Sequence, residues 1–331
     1  MIRLVLADLF QFLRRWLPYV LLLIMFLSLV NETDTAYYQL KCLYNDYPDL
    51  TYFDYAAALE HTDPNSLYVT IPYSGEITAP WLQLEGHNGE ITIPRYTFNK
   101  LVLPHSVNHM FETMAMGYDF LLFIILAASF IGTGYRCGTL RQSLARGIRR
   151  TAYLGSKYIT LVILALLFIL AKIIFSLAVG MITTSTVIGG ITWDFISMDT
   201  AGYLLSSMAL ITLILMVYAS FTALFSIVLK SSIAGMIAGV LYLQIEVYTL
   251  RTFVINNALA ANSLEWPVYT IGYNANYLLE LISPNAIYGY GTYLNQSLTS
   301  ATQSLLVLVG YCIVFIAMGF LIFRKQELSR E

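Results

Sequence analysis

The chain has 331 residues, 58% of them hydrophobic and 11% charged, with a formal net charge of −2. A mean hydropathy of +0.67 excludes an ordinary soluble domain; the net charge says little, because it averages two opposed halves, and no nucleic-acid partner is expected. Several apolar runs approach the roughly 20 residues that cross a bilayer. The pattern therefore predicts an all-α polytopic membrane protein: six transmembrane helices, an N-terminal interfacial helix and a small β-containing extracellular insertion.

Residues 1–15 have helical amphipathicity. Arg3, Asp8, Gln11, Arg14 and Arg15 fall within an arc of about 140°. The opposite side carries Ile2, Val5, Leu6, Leu9, Phe10, Phe12 and Leu13. Such a helix lies in the membrane interface with its charged face toward water. No small-residue cleavage site follows, so the segment is read as a retained anchor. Residues 16–30 form the first span, with Trp16 at the interface.

Residues 31–112 are rich in Tyr, Asp, Glu, Asn and Pro, and read as an extracellular subdomain. A local repeat, Gly75-Glu76-Ile77-Thr78-Ala79-Pro80 and Gly89-Glu90-Ile91-Thr92-Ile93-Pro94, lies among short alternating runs that predict strands at 67–71, around 77, at 81–84 and at 91–93. Residues 113–250 hold spans two to five: 114–133, 158–182, 201–229 and 233–250. A basic loop, 134–157, joins the second and third; 183–201 is an outer loop and Lys230-Ser231-Ser232 a tight turn. Residues 251–300 read as an extracellular loop with a partly apolar stretch, Tyr277 to Ile287 around Pro284, as a re-entrant or interfacial helix. Residues 301–323 are the sixth span and 324–331 a cytoplasmic tail. This arrangement puts thirteen of the 18 Lys and Arg on the cytoplasmic side, four outside and one in a span, as the positive-inside rule requires. Both termini are then cytoplasmic.

The basic loop carries Arg136, Arg141, Arg146, Arg149, Arg150 and Lys157, and no acid. Thr139 can cap a short helix and Gly147 can end it, while Leu140 and Leu144 share one face. Tyr135, Gly138-Thr139-Leu140-Arg141, Leu144, Arg146-Gly147-Ile148, Arg150 and Lys157 together resemble the intracellular coupling region of permease subunits of the type-2, exporter-like ABC transporter family. One position departs: the acid that usually precedes the Tyr is Gly134 here. The resemblance implies that Gly138, Thr139, Leu140, Arg141, Leu144, Arg146, Gly147, Arg149 and Arg150 couple the spans to a separate ATP-binding subunit. It also implies a second permease subunit, identical or related, and a bacterial cell membrane. ATP and Mg would bind in the partner, since this chain has no Gly-x-x-x-x-Gly-Lys-Ser/Thr loop. No cofactor and no catalytic residue are expected in the chain itself.

Three ionisable residues fall inside predicted spans: Asp119, Lys172 and Glu246. At about 1.5 Å per residue each lies roughly 22–24 Å above the cytoplasmic boundary. Buried charges seek partners, so Lys172 is expected to pair with Asp119, Glu246 or both, the alternative being that each reaches the outer interface. Gly235 and Gly239 form a small-xxx-small stripe for helix packing, within the chain or against a second subunit. His105, His109 and Glu112 would share a helical face, but no metal motif surrounds them, and no metal site is expected. The resulting expectation is a transport permease exporting a peptide, lipid or hydrophobic small molecule. The alternatives are a non-transporting sensor or assembly factor working through the extracellular domain and, disfavoured by the missing motifs, an intramembrane enzyme.

Overall fold

The computed structural model describes residues 2–62, 68–75, 90–94, 96–103, 106–107, 118–136, 139–190, 198–259, 266–282 and 300–326. In chain order the elements are α1 (Ile2–Leu13), α2 (Leu17–Asp46), α3 (Tyr52–Glu60), β1 (Tyr68–Pro72), β2 (Glu90–Pro94), α4 (Tyr96–Asn99), α5 (Tyr118–Arg136), α6 (Thr139–Ala145), α7 (Arg150–Ile188), α8 (Met198–Val228), α9 (Ser232–Leu259), α10 (Ile271–Ile282) and α11 (Ala301–Lys325). A 3₁₀ turn, Trp266–Tyr269, precedes α10.

Four helices are long and apolar enough to cross a membrane: Leu17–Asp46, Arg150–Ile188, Leu204–Val228 and Ala301–Lys325. A fifth is added if Asp119–Tyr135 and Thr139–Ala145, bent by 55°, count as one span. The expected span at 233–250 exists as a helix, but its apolar part is only Ser232–Glu246. Glu246 and Arg251 interrupt the run. The count among the described residues is therefore four or five against an expected six.

Helix α8 is the hub. It packs on α5, α7, α9, α10 and α11. Its apolar residues surround the axis, which suits a helix enclosed on all sides; Ile211, Ile214, Leu215, Val217, Ala219, Ala223 and Ile227 are all fully buried. Glycines set the closest approaches. A Cβ at Gly235 would meet Ser226 Oγ at 1.9 Å, one at Gly239 would meet Thr222 Oγ1 at 2.5 Å and Ile124 Cγ2 at 2.7 Å, and one at Gly132 would meet Ser232 Cβ at 2.2 Å. The predicted stripe thus packs α9 onto α8 and α5 of the same chain. The tight turn at 230–232 ends α8 as a Schellman cap: Ser231 N–H donates to Ser226 O, Lys230 N–H donates to Ile227 O, and Lys230 has φ 50°.

The segment expected to be a β-rich subdomain starts as helix. Helix α2 continues sixteen residues past position 30, because Ala36, Leu40 and Tyr47 recur at helical spacing and are buried in a separate core. That core also holds Leu50, Tyr55, Phe98 and Leu101, and the inward side chains of the hairpin β1–β2. The two strands pair antiparallel with Val69 opposite Ile93 and Ile71 opposite Ile91. The strands predicted at 67–71 and 91–93 are realised as this pair. Those near 77 and at 81–84, and the first repeat copy after Gly75, lie outside the described residues. Burial pushes the Tyr47 and Tyr52 phenols up, helped at Tyr47 by Asp46 and Tyr73. A capping box, Thr51 with Asp54, starts α3.

Two loops are shorter than expected. Helix α7 occupies positions to 188 and α8 starts at 198, so most of 183–201 is helical. The loop at 251–300 contains the end of α9 and the packed helix α10, in which Ile271, Tyr273, Ala275, Leu278 and Leu279 are buried against the bundle. Pro284 is outside the described residues.

The glycine contacts give a test. Gly235→Val should lower the thermal midpoint of the purified chain, since overpacking costs about 1–3 kcal/mol. Gly310→Ala, where nothing lies within 4 Å, should be neutral or raise it, by at most about 1 kcal/mol.

Candidate functional site

The basic loop folds into a capped helix. Thr139, read as its cap, is its first described helical residue; Gly138 lies outside the described residues. Gly147, at φ 83°, closes it as a Schellman motif, its N–H donating to Leu144 O (3.0 Å) while Ile148 N–H donates to Ser143 O (3.3 Å). Leu140 and Leu144 do share a face, and that face turns inward: Leu140 is 2% exposed and both join the main core. The outward face carries Arg141, Gln142, Ala145 and Arg146, with Arg149 exposed just beyond.

Arg150, assigned to the coupling set by the resemblance, turns back onto the bundle. Its Nη1 donates to the carbonyls of Arg324 (3.0 Å) and Gln326 (2.6 Å). Gln326 Nε2 donates to Ile227 O (2.6 Å), and Tyr135 Oη donates to Gln326 Oε1 (3.3 Å). Nothing in the local pattern singles out Gln326. Its partners lie 99 and 191 residues away in sequence.

Helix α1 also differs from expectation. Asp8, assigned to the water-facing side, accepts from Lys157 Nζ at 2.8 Å and from Ser156 Oγ at 3.2 Å. Lys157 lies 4.4 Å from the Phe130 ring centroid. Arg15 Nη1 donates to Thr133 Oγ1 (2.8 Å). Val5 and Phe12 are buried beside these groups, while Ile2, Leu6 and Phe10 stay exposed. The helix therefore grips α7 and α5 by one face and presents another apolar face outward. Asp8 was legible as the lone acid on a basic helix. The Gly134 departure has a local reason: a Cβ there would meet Tyr153 Oη at 2.6 Å.

At the other end of the bundle, Lys172 of α7 is ion-paired with Asp119 of α5. Both are buried, with side chains 4% and 5% exposed. The sequence missed Glu32 of α2. Its Oε2 is buried without a hydrogen-bond partner, in the field of Lys172, Asp119 and Lys100. Glu246 stands apart from this group. It accepts from Tyr218 Oη (3.1 Å) and Tyr242 Oη (3.2 Å), and from Gly272 N–H (2.5 Å) at the start of α10. Its charge meets two hydroxyls and the positive end of a helix. His105, His109 and Glu112 lie outside the described residues. Among the described residues no group of three His, Cys, Asp or Glu could hold a metal.

Removing one member of a buried pair leaves the other charge uncompensated, at about 3–5 kcal/mol. Lys172→Met should therefore strongly lower the thermal midpoint and yield of purified protein. The double variant Lys172→Met/Asp119→Leu should recover most of the loss. Equal losses in the single and double variants would show that the pair is not what the site requires.

No curated protein matches this chain. Residues 94–329 match a family described as a protein of unknown function, DUF2705, and the chain belongs to that family.

Proposed function

We propose that the chain is the membrane-spanning permease subunit of an ATP-driven ABC transporter, exporting a peptide, lipid or hydrophobic small molecule by alternating access. In this reading it has six spans with both termini cytoplasmic, and the basic loop faces the cytoplasm. It works with a second permease subunit, the same or related, and with ATP-binding subunits that hold ATP and Mg. The observation that carries the reading is α6: a capped helix between two long apolar helices, its leucines seated in the bundle and its arginines turned out. A push on such a helix reaches the spans directly, since its apolar face is part of their core.

The outward face defines the chemistry of the contact. Arg141, Arg146 and Arg149 are exposed, so the partner surface is acidic and polar rather than an apolar groove. Association of this kind weakens as salt rises.

A second reading, a non-transporting membrane sensor or assembly factor, draws on the subdomain's own core and on its mounting on α7. Thr183 Oγ1 donates to Leu101 O (2.5 Å), and Leu103 N–H donates to Thr184 Oγ1 (2.9 Å). An event there would reach the basic loop without any ATPase.

Co-purification with candidate ATP-binding subunits separates the two. The native chain should hold one. Arg141→Glu/Arg146→Glu/Arg149→Glu should lose it while keeping its thermal midpoint, because all three side chains are exposed. Leu140→Asp should instead fail to fold. A folded native chain that holds no ATP-binding subunit favours the sensor.

A further inference from the structure

Four helix ends meet at one residue, Gln326, through its side chain and its backbone carbonyl. The last carbonyls of α11 have no partners within their own helix, whereas at the end of α8 Ile227 O already accepts from Lys230 N–H. At α11 the Arg150 guanidinium, from the first residue of α7, supplies donors to two of these carbonyls, Arg324 O and Gln326 O. Its positive charge also suits the negative end of the helix. Gln326 then uses both ends of its amide. Nε2 reaches Ile227 O at the end of α8, and Oε1 accepts from Tyr135 at the end of α5. An amide is the group that can give and take in this way. Beside it the Tyr153 and Phe323 rings stack 6.1 Å apart, joining α7 to α11 again.

We propose that Arg150 and Gln326 form a latch that makes the basic-loop ends of α5, α7, α8 and α11 one mechanical unit. Displacement of α6 is then carried by Arg150 to the last helix and by Gln326 to the hub helix. Arg150 and Gln326 are positioning residues. The proposal rests on α6 being the docking element only for what pushes it. The latch itself is a property of this chain.

Amide hydrogen exchange on the purified full chain in lipid nanodiscs tests it. Gln326→Glu replaces the donor to Ile227 O with an acceptor, and Gln326→Asn keeps the chemistry but shortens the reach. In both, exchange in the last turns of α8 and α11 should rise together, roughly tenfold for each net hydrogen bond lost. The start of α9 should stay as in the native chain. Arg150→Gln should give the same paired rise, and the exposed neighbour Arg149→Gln should give none. A rise confined to α11, or no rise, overturns the latch. Where an ATP-binding subunit co-purifies, the Gln326 variants should keep it bound. Hydrolysis in the complex, relative to the free ATP-binding subunit, should fall several-fold. Unchanged hydrolysis alongside paired exchange overturns the transmission role. If no ATP-binding subunit binds the native chain, the docking reading fails, and the exchange result still decides the latch.

Discussion

Helix α7 runs unbroken for 39 residues, about 58 Å at 1.5 Å per residue, almost twice the thickness of a bilayer's hydrocarbon. One rigid element therefore meets α1, α2, α5, α8 and α11. Its first residue holds the end of α11, and two turns later Lys157 holds α1 through Asp8. Lys172 holds α5 through Asp119. Near the top, Ser176, Thr183 and the backbone-facing Thr184 bind the segment that leads into the small second core, and Val187 packs against that core. The second core has no linker of its own along this edge. Its position follows from α7 and from the continuation of α2.

The two kinds of buried carboxylate show how such a bundle keeps polar groups. Asp119 is matched by a full opposite charge. Glu246 is matched by phenol hydroxyls and a helix start, which ties α9, α8 and α10 through one side chain. The first solution joins α5 and α7, which otherwise touch sparsely. The second anchors a short helix that has no long apolar run to hold it in place. In each case the polar group does what apolar packing does not: it fixes which neighbour a helix end must face.

Much of this was written locally. The end of α8, the limits of α11, the paired strands, the Gly147 stop and the alignment of Asp119 with Lys172 follow from period, punctuation and rise per residue. What was not legible is direction. Leu140 and Leu144 define a face, but periodicity does not say whether a face meets a partner or its own bundle. Gly235 and Gly239 have the same ambiguity, resolved by Ser226 and Thr222 on α8. Composition misled at 31–46, where polar and aromatic residues masked the helical spacing of Ala36, Leu40 and Tyr47. Glu32, Gln326 and the partner of Asp8 were missed because each role comes from a residue more than 80 positions distant, and no window of sequence contains both.

The strengths of these ties bear on what can move. Leaving one member of a buried ion pair without its partner costs about 3–5 kcal/mol, and separating helices at Gly235 and Gly239 gives up packing that only those glycines allow. Single hydrogen bonds contribute about 0.5–1.5 kcal/mol each, but at Gln326 and Arg150 several would have to break together. Helices α5, α7, α8, α9 and α11 are thus poorly suited to sliding past one another. By contrast, Ile233, Ile237, Leu241 and Ile245 form one exposed stripe along α9. If the chain is half of an alternating-access machine, its moving joint lies at its outer surface, between whole subunits that turn as blocks. The latch then serves to make each block turn as one piece when α6 is pushed.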